Sequence, residues 1–259
     1  MKGRLSLGCA VLVGLAWMPA QAQVLYDAFS GDHIDPAKWI ATPMCADNAY
    51  DCAREVRLGH LRLAVRGYGA TTDSTEVTFA ESQLLFKNPS AIETIQFRFT
   101  VTSFTSQACP FNDNDAHPQL LAHGAFFAGA GEDAVAYLMV ERLAGDSDPS
   151  LPANALRVAG FTTGTTEAIF VDLGTVKVWE PAVATLTWDK TSKAFVWRVV
   201  KAFTTPHVVE ETRHYVDDDA SPPADAFKSL RVGTFAPNCV AEPSVAAMDV
   251  NIDNVRVNP

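Results

Sequence analysis

The chain has 259 residues, with 30 acidic against 20 basic side chains and a formal charge of −10. No basic cluster or arginine–aromatic interleaving offsets that acidity, so nucleic acid and anionic lipid are excluded as expected partners. The length suits one large domain without forcing a second.

Lys2 and Arg4 precede an apolar run from Leu5 to Met18, and Pro19-Ala20-Gln21-Ala22 places small residues before a cut between Ala22 and Gln23. Residues 1–22 read as a cleaved secretory signal peptide of bacterial type. The run is shorter than the roughly 20 residues that span a bilayer, and no later stretch approaches it, so no membrane span is expected. Residues 23–259 are expected to form one exported, monomeric domain, periplasmic or extracellular. Cys9 behind Gly8 offers a lipoprotein alternative; Ser6 in place of a leucine and an apolar run that follows the cysteine stand against it. Cys45, Cys52, Cys109 and Cys239 remain after cleavage. In an exported chain they favour disulfides, and of the three pairings Cys45–Cys52 with Cys109–Cys239 is preferred. The absence of a Cys-x-x-Cys pair argues against zinc.

Short apolar-alternating segments separated by turn residues recur along the rest of the chain, and none holds a 3.6-residue apolar stripe, so the fold predicted is all-β. Tyr26-Asp27-Ala28-Phe29 opens it. The clearest strand is 94–101, with Ile95, Phe97, Phe99 and Val101 on a core face and Gln96, Arg98 and Thr100 on a wet one. Thr185–Trp188 and Phe195–Val199, joined by a polar turn, read as a hairpin. Further strands are expected around 60–66, 83–87, 124–129, 134–142, 155–161, 168–173, 207–215, 229–235 and 247–257. Their spacing suits two stacked antiparallel sheets. The stretches 102–119, 143–153 and 216–227 read as long irregular loops, where binding determinants reside.

In their order, several segments resemble the concanavalin A-like lectins and glucanases, especially the jelly-roll domains related to family 16 β-glucanases. They are Asp27-Ala28-Phe29-Ser30-Gly31, the Asp35-Pro36-Ala37-Lys38-Trp39 turn, Gly59-His60-Leu61-Arg62-Leu63, Leu186-Thr187-Trp188-Asp189 and the closing Asp253-Asn254-Val255-Arg256-Val257. The resemblance spans the mature chain and implies a two-sheet jelly-roll sandwich. It also implies a structural calcium held by the carbonyls of Ala28 and Gly59 and the side chain of Asp253, a donor set of hard oxygens. The other reading of Asp253 is a hydrogen-bonding residue near the chain end.

The family's hydrolases carry Glu-x-Asp-x-Glu on one strand, because retaining chemistry needs two carboxyl groups about 5–5.5 Å apart. The matching strand here, Ala134–Arg142, has Glu141 as its one acid, so Glu141 is the sole catalytic candidate and a glucanase of the standard kind is not expected. A Gly-x-Ser-x-Gly elbow is absent as well. Tyr137, Met139 and Glu141 share a face of that strand, and with Gln96 and Arg98 they are expected to floor a glycan groove, against the reading of an ordinary solvated sheet face. Trp179, beside Glu180-Pro181, is the stacking candidate if exposed, the other reading being burial, whereas Trp39, Trp188 and Trp197 are expected in the core. Asn112-Asp113-Asn114-Asp115 and Asp217-Asp218-Asp219 lack the glycine and distal glutamate of a calcium loop and read as solvated. Three functions stay open: a non-catalytic module binding a glycan or a cell-surface partner, a polysaccharide-active enzyme with an atypical site built on Glu141, and a structural or adhesive envelope protein.

Overall fold

In a computed structural model of the chain, the described residues are 23–44, 49–72, 76–107, 109, 116–143 and 151–258. The predicted signal peptide, Cys45 and the Asn112-Asp113-Asn114-Asp115 stretch lie outside them. Among the described residues fifteen strands form: β1 (Val24–Asp27), β2 (Trp39–Ala41), β3 (Ala49–Arg57), β4 (His60–Tyr68), β5 (Val77–Phe86), β6 (Thr94–Gln107), β7 (His117–Ala128), β8 (Asp133–Glu141), β9 (Ala155–Thr163), β10 (Phe170–Lys177), β11 (Ala182–Asp189), β12 (Ala194–Lys201), β13 (Val208–His214), β14 (Lys228–Pro237) and β15 (Val245–Val257). They make two antiparallel sheets. The eight-stranded sheet runs β13-β12-β11-β6-β15-β4-β3 with β1 alongside β15; the seven-stranded sheet runs β10-β9-β8-β7-β14-β5-β2. This is the two-sheet sandwich expected from the alternation, and the jelly roll that the resemblance implies; its first and last strands lie side by side, Val24 opposite Val257.

Alternation decides what lies between the sheets. Ile95, Phe97 and Phe99 of β6, Phe195 and Trp197 of β12, and Leu61 and Leu63 of β4 meet Leu120 of β7, Leu138 and Val140 of β8 and Leu156 and Val158 of β9, all buried. Each such side chain contributes about 1.5–3 kcal/mol when fully buried. Trp39 and Trp188 are buried too, as expected for core tryptophans. Trp39 donates from Nε1 to Asp27 Oδ2 at 2.8 Å, so the opening strand and the turn after it are locked together. That turn is real: Asp35 accepts the amides of Lys38 and Trp39 through its carbonyl and that of Ala37 through its carboxylate.

Three expectations need correction. The stretch 102–119 is not one loop, because β6 runs on to Gln107 and β7 starts at His117. Residues 102–107 bury no side chain fully; backbone pairing with β15 holds them, and an apolar pattern cannot report that. β2 and β3 were not foreseen, since β2 has three residues and β3 mixes charged and small residues. Asp217 and Asp219 are buried rather than solvated: Asp217 accepts the amide and hydroxyl of Thr166, and Asp219 the Tyr215 hydroxyl at 2.6 Å.

Cys109 and Cys239 are joined as predicted, with Cα atoms 5.5 Å apart across 130 residues of sequence. Cys52 is also disulfide-bonded; its predicted partner, Cys45, is outside the described residues. No helix among the described residues is long and apolar enough to cross a membrane. A register shift between Ala125 and Phe127 leaves the Ala125 carbonyl for the buried Lys228 ammonium, which also lies 4.0 Å from the Phe126 ring centre. Gly124 makes the room, because a Cβ there would fall 2.1 Å from Lys228 Cδ. Burial pushes the Lys228 pKa down to about 7.

Candidate functional site

On β8 the even positions Ala134, Ala136, Leu138 and Val140 face the core, so Asp133, Val135, Tyr137, Met139 and Glu141 face outward from the seven-stranded sheet. Register then builds two rows across its neighbours. Glu141 stands opposite Gln119 of β7 and Arg157 of β9; Tyr137 stands opposite His123 of β7 and Phe161 of β9, and Phe161 opposite Phe170 of β10. Where the first row meets β10 the surface opens into a cleft of about 310 Å³, floored by Glu141, Arg157 and Asp172, with Leu143 and Leu151 along it and Phe170 at its rim. That volume lies at the lower end for small-ligand sites.

The second row is a ring stack. Phe161 and Tyr137 lie 4.2 Å apart and 5° from parallel, His123 follows at 5.2 Å and 16°, and Phe227 closes it edge-on at 5.3 Å. Tyr137 therefore has both ring faces covered and offers an edge and a hydroxyl, not a stacking platform. Phe170, 67% exposed, is the open ring at the cleft.

His123 is buried, and neither ring nitrogen has a hydrogen-bond partner among the described residues; the same holds for Ser229 Oγ, opposite it on β14, and for Arg231 Nε one step along. Burial, and then the Arg231 charge, push the His123 pKa down to about 3, so the ring is neutral near neutral pH. Arg231 is paired with Glu81 at 3.1 Å. The core holds this row in place: Trp197 reaches across from the other sheet and donates from Nε1 to the Tyr137 carbonyl at 2.7 Å. It fits because residue 160 is glycine, where a Cβ would lie 2.4 Å from the Trp197 ring.

The structure keeps Tyr137 and Glu141 on one face but removes Gln96 and Arg98 from it. β6 belongs to the eight-stranded sheet, and its core face is taken by Ile95, Phe97 and Phe99, so Gln96 and Arg98 point out of the opposite side of the sandwich. There Gln96 donates to Thr185 Oγ1 at 3.2 Å, and Arg98 stands opposite Asp253. Trp179 is 66% exposed, on the turn after β10 and outside the cleft lining. Glu141 has no nearby acid along its strand: the outward positions before it are Met139, Tyr137 and Val135. Asp133, the next, lies roughly 26 Å away at 3.3 Å per residue and binds the amides of Ala224 and Asp225.

Ala28, Gly59 and Asp253 are placed by strand pairing near one part of β15. β1 and the start of β4 flank the same part of β15, where Asp27 pairs with Val255 and Leu61 with Ile252. Backbone there is left-handed at Phe29, Leu58, Gly59 and Asn254, and Asp253 accepts both the amide and the side-chain nitrogen of Asn254. The oxygens are of the kind calcium takes, and the guanidinium of Arg98 opposes a cation. Among the described residues no three His, Cys, Asp or Glu side chains group as metal ligands. His117 and His123 share a face of β7, but His117 stacks on Phe235 and His123 on Tyr137.

Arg157, Asp172 and Phe170 were not foreseen. Each sits on a recognised strand, but its membership of the cleft follows from the β8-β9-β10 pairing, which no local pattern encodes.

No protein-family model matches the chain, and no curated protein does. Solved structures similar to it include lectin II from Ulex europaeus, with 15% identity, a TM-score of 0.34 and coverage of 83% of this chain and 97% of that one. A family 16 glycosyl hydrolase from Mycobacterium smegmatis matches at 12% identity and a TM-score of 0.44, over 89% of this chain and 100% of that one. The κ-carrageenase of Pseudoalteromonas carrageenovora matches at 8% identity and a TM-score of 0.42, over 94% and 99%. The chain is a two-sheet β-sandwich, and the solved structures similar to it include lectins and glycoside hydrolases.

Proposed function

We propose that this is an exported carbohydrate-binding sandwich that holds a glycan unit in the cleft on β8–β10 without cleaving it. The observation that supports the reading is the cleft's composition: two carboxylates and a guanidinium on the floor, able to hydrogen-bond hydroxyl groups, beside an open aromatic ring able to take the apolar face of a sugar. Glu141 is the one acid on its part of β8, so the alternating acids of the family 16 type are missing from the strand, which favours binding over double-displacement hydrolysis of that type. Export is supported by the Cys109–Cys239 disulfide, which persists in an oxidising compartment.

The test is a glycan array with the mature chain, followed by calorimetry on the best ligand. Phe170→Ala and Glu141→Gln should each weaken binding about tenfold or more, the scale of a lost stacking or charged hydrogen bond. Binding unchanged in both variants would remove the cleft from the account, and release of new reducing ends that stops in Glu141→Gln would replace binding by hydrolysis. A structural calcium at Ala28, Gly59 and Asp253 belongs to the same proposal. Its expected sign is a melting temperature lowered by chelator and restored by calcium, an effect absent in Asp253→Ala.

A further inference from the structure

Among the described residues three large aromatic side chains are exposed: Phe170 at the cleft, and Trp179 and Phe203 away from it. Trp179 lies on the turn that carries the chain from β10 in one sheet to β11 in the other; Phe203 lies on the turn between β12 and β13. One buried carboxylate fastens both turns. Glu180 accepts the amides of Lys177 (2.9 Å), Phe203 (2.6 Å) and Thr204, together with the Thr204 hydroxyl. The Trp179 amide is tied to the Val101 carbonyl at 2.8 Å, and the Ala202 amide to that of Pro181 at 3.2 Å.

The backbone of Trp179 is left-handed, with φ at +65°, a conformation unfavourable for any residue with a Cβ. Its indole gains no burial in return, being 66% exposed, and Phe203 is 68% exposed. Strain held by a hydrogen-bonded frame, with the strained side chain in solvent, points to presentation rather than packing. Along the same stretches of chain Lys177, Thr205 and His207 are exposed, as are Ala202, Pro206 and Val208, the first residue of β13. Two exposed rings on separate turns, with Lys177, Thr205 and His207 interspersed along the chain, fall short of the large continuous apolar patch that a protein partner covers. Exposed rings of this kind suit sugar rings, whose C–H faces stack on aromatics while their hydroxyls meet polar neighbours.

We propose that Trp179 and Phe203 form a second carbohydrate-contact site, outside the cleft, that takes the apolar faces of pyranose units in a neutral polysaccharide. The formal charge of −10 disfavours a polyanion. The inference rests on the reading of the chain as carbohydrate-binding, and it adds a polymer-specific site to a cleft that holds a single unit. Glu180 acts in it as a positioning residue.

The experiment is affinity electrophoresis of the mature chain in gels containing a neutral β-glucan, a galactomannan or, as the polyanion, alginate. A parallel titration uses short oligosaccharides from whichever neutral polymer retards the chain. The W179A/F203A double variant should lose tenfold or more in polymer affinity while its oligosaccharide affinity stays within twofold, and W179F should retain most of the retardation. Trp39, Trp188 and Trp197 are buried, so a polymer-induced emission change should be carried by Trp179 and vanish in W179F. Both side chains are in solvent, so melting temperatures should not move. Polymer affinity unchanged in W179A/F203A but lost in F170A would overturn the second site and leave the cleft standing. Loss of both affinities in F170A with the double variant unaffected in either would do the same. Retardation by alginate alone, by none of the three polymers, or a self-association abolished by W179A/F203A would also overturn it.

Discussion

The two outer faces of the sandwich are built from the same alternating pattern and end in opposite states. On the eight-stranded sheet the outward charges are paired and wet: Arg62 bridges Asp249 at 2.7 Å and Glu55 at 3.0 Å, Arg198 meets Glu210 at 3.5 Å, and Arg213 meets Glu211 at 2.7 Å. On the seven-stranded sheet the outward face is sunk. Gln119, Leu121, His123 and Ser229 are buried, rings are stacked against one another, and His123 and Ser229 have polar atoms without a partner among the described residues. Leaving buried polar groups unpaired costs about 1–3 kcal/mol each, and on this face the cost falls on His123 of β7 and on Ser229 and Arg231 of β14. A face that is merely solvated has no such deficit.

Three perturbations sharpen that contrast. The largest effect is expected from Gly160→Ala, whose Cβ would drive into Trp197 and so push on the strand that carries Tyr137 and Glu141. Overpacking of this severity costs about 3 kcal/mol. It should appear as a lowered denaturant midpoint together with weakened ligand binding, and a midpoint equal to wild type would show that the Trp197 contact does not set the position of β8.

The next effect depends on pH. Below pH 6.5 the unfolded chain protonates His123, whereas the folded chain does so only near pH 3, so this residue makes stability fall as pH drops through that window. The slope is at most about 1.4 kcal/mol per pH unit for one proton. Lys228, its pKa depressed by burial to about 7, acts at the other end: the unfolded ammonium keeps its proton up to about 10.5, so stability rises between pH 7 and 10.5. His123→Phe should flatten the acid limb and Lys228→Met the alkaline limb in urea titrations across pH. Limbs unchanged by either substitution would mean that other groups carry them. Arg198→Ala on the opposite face should give the smallest effect, about 0.5 kcal/mol or less, as for an exposed ion pair. A larger loss would show that the two faces differ less than their burial indicates.

Legibility in the sequence followed the range of the interactions. Residues 94–101 announced a strand with its inward and outward faces because alternation is local, and the 185–199 hairpin did so through its turn. That the cysteines form disulfides was readable from parity and compartment; the preferred one of three pairings contained Cys109–Cys239, which spans 130 residues. Trp179 was recognisable as a stacking candidate, but its left-handed backbone and its tie to Phe203 through Glu180 were not, because that carboxylate joins turns from different parts of the chain.

The sequence by itself determined the class of structure: an acidic, cysteine-paired chain of alternating strands, with one acid on the strand 134–142. Only the tertiary structure decided the company each outward residue keeps. Gln96 and Arg98 alternate as Tyr137 and Glu141 do, yet they emerge on the far side of a core, because which sheet a strand joins is fixed by long-range pairing and packing. The same pairing brought Arg157, Asp172 and Phe170 to Glu141, through hydrogen bonds between strands that no single segment specifies.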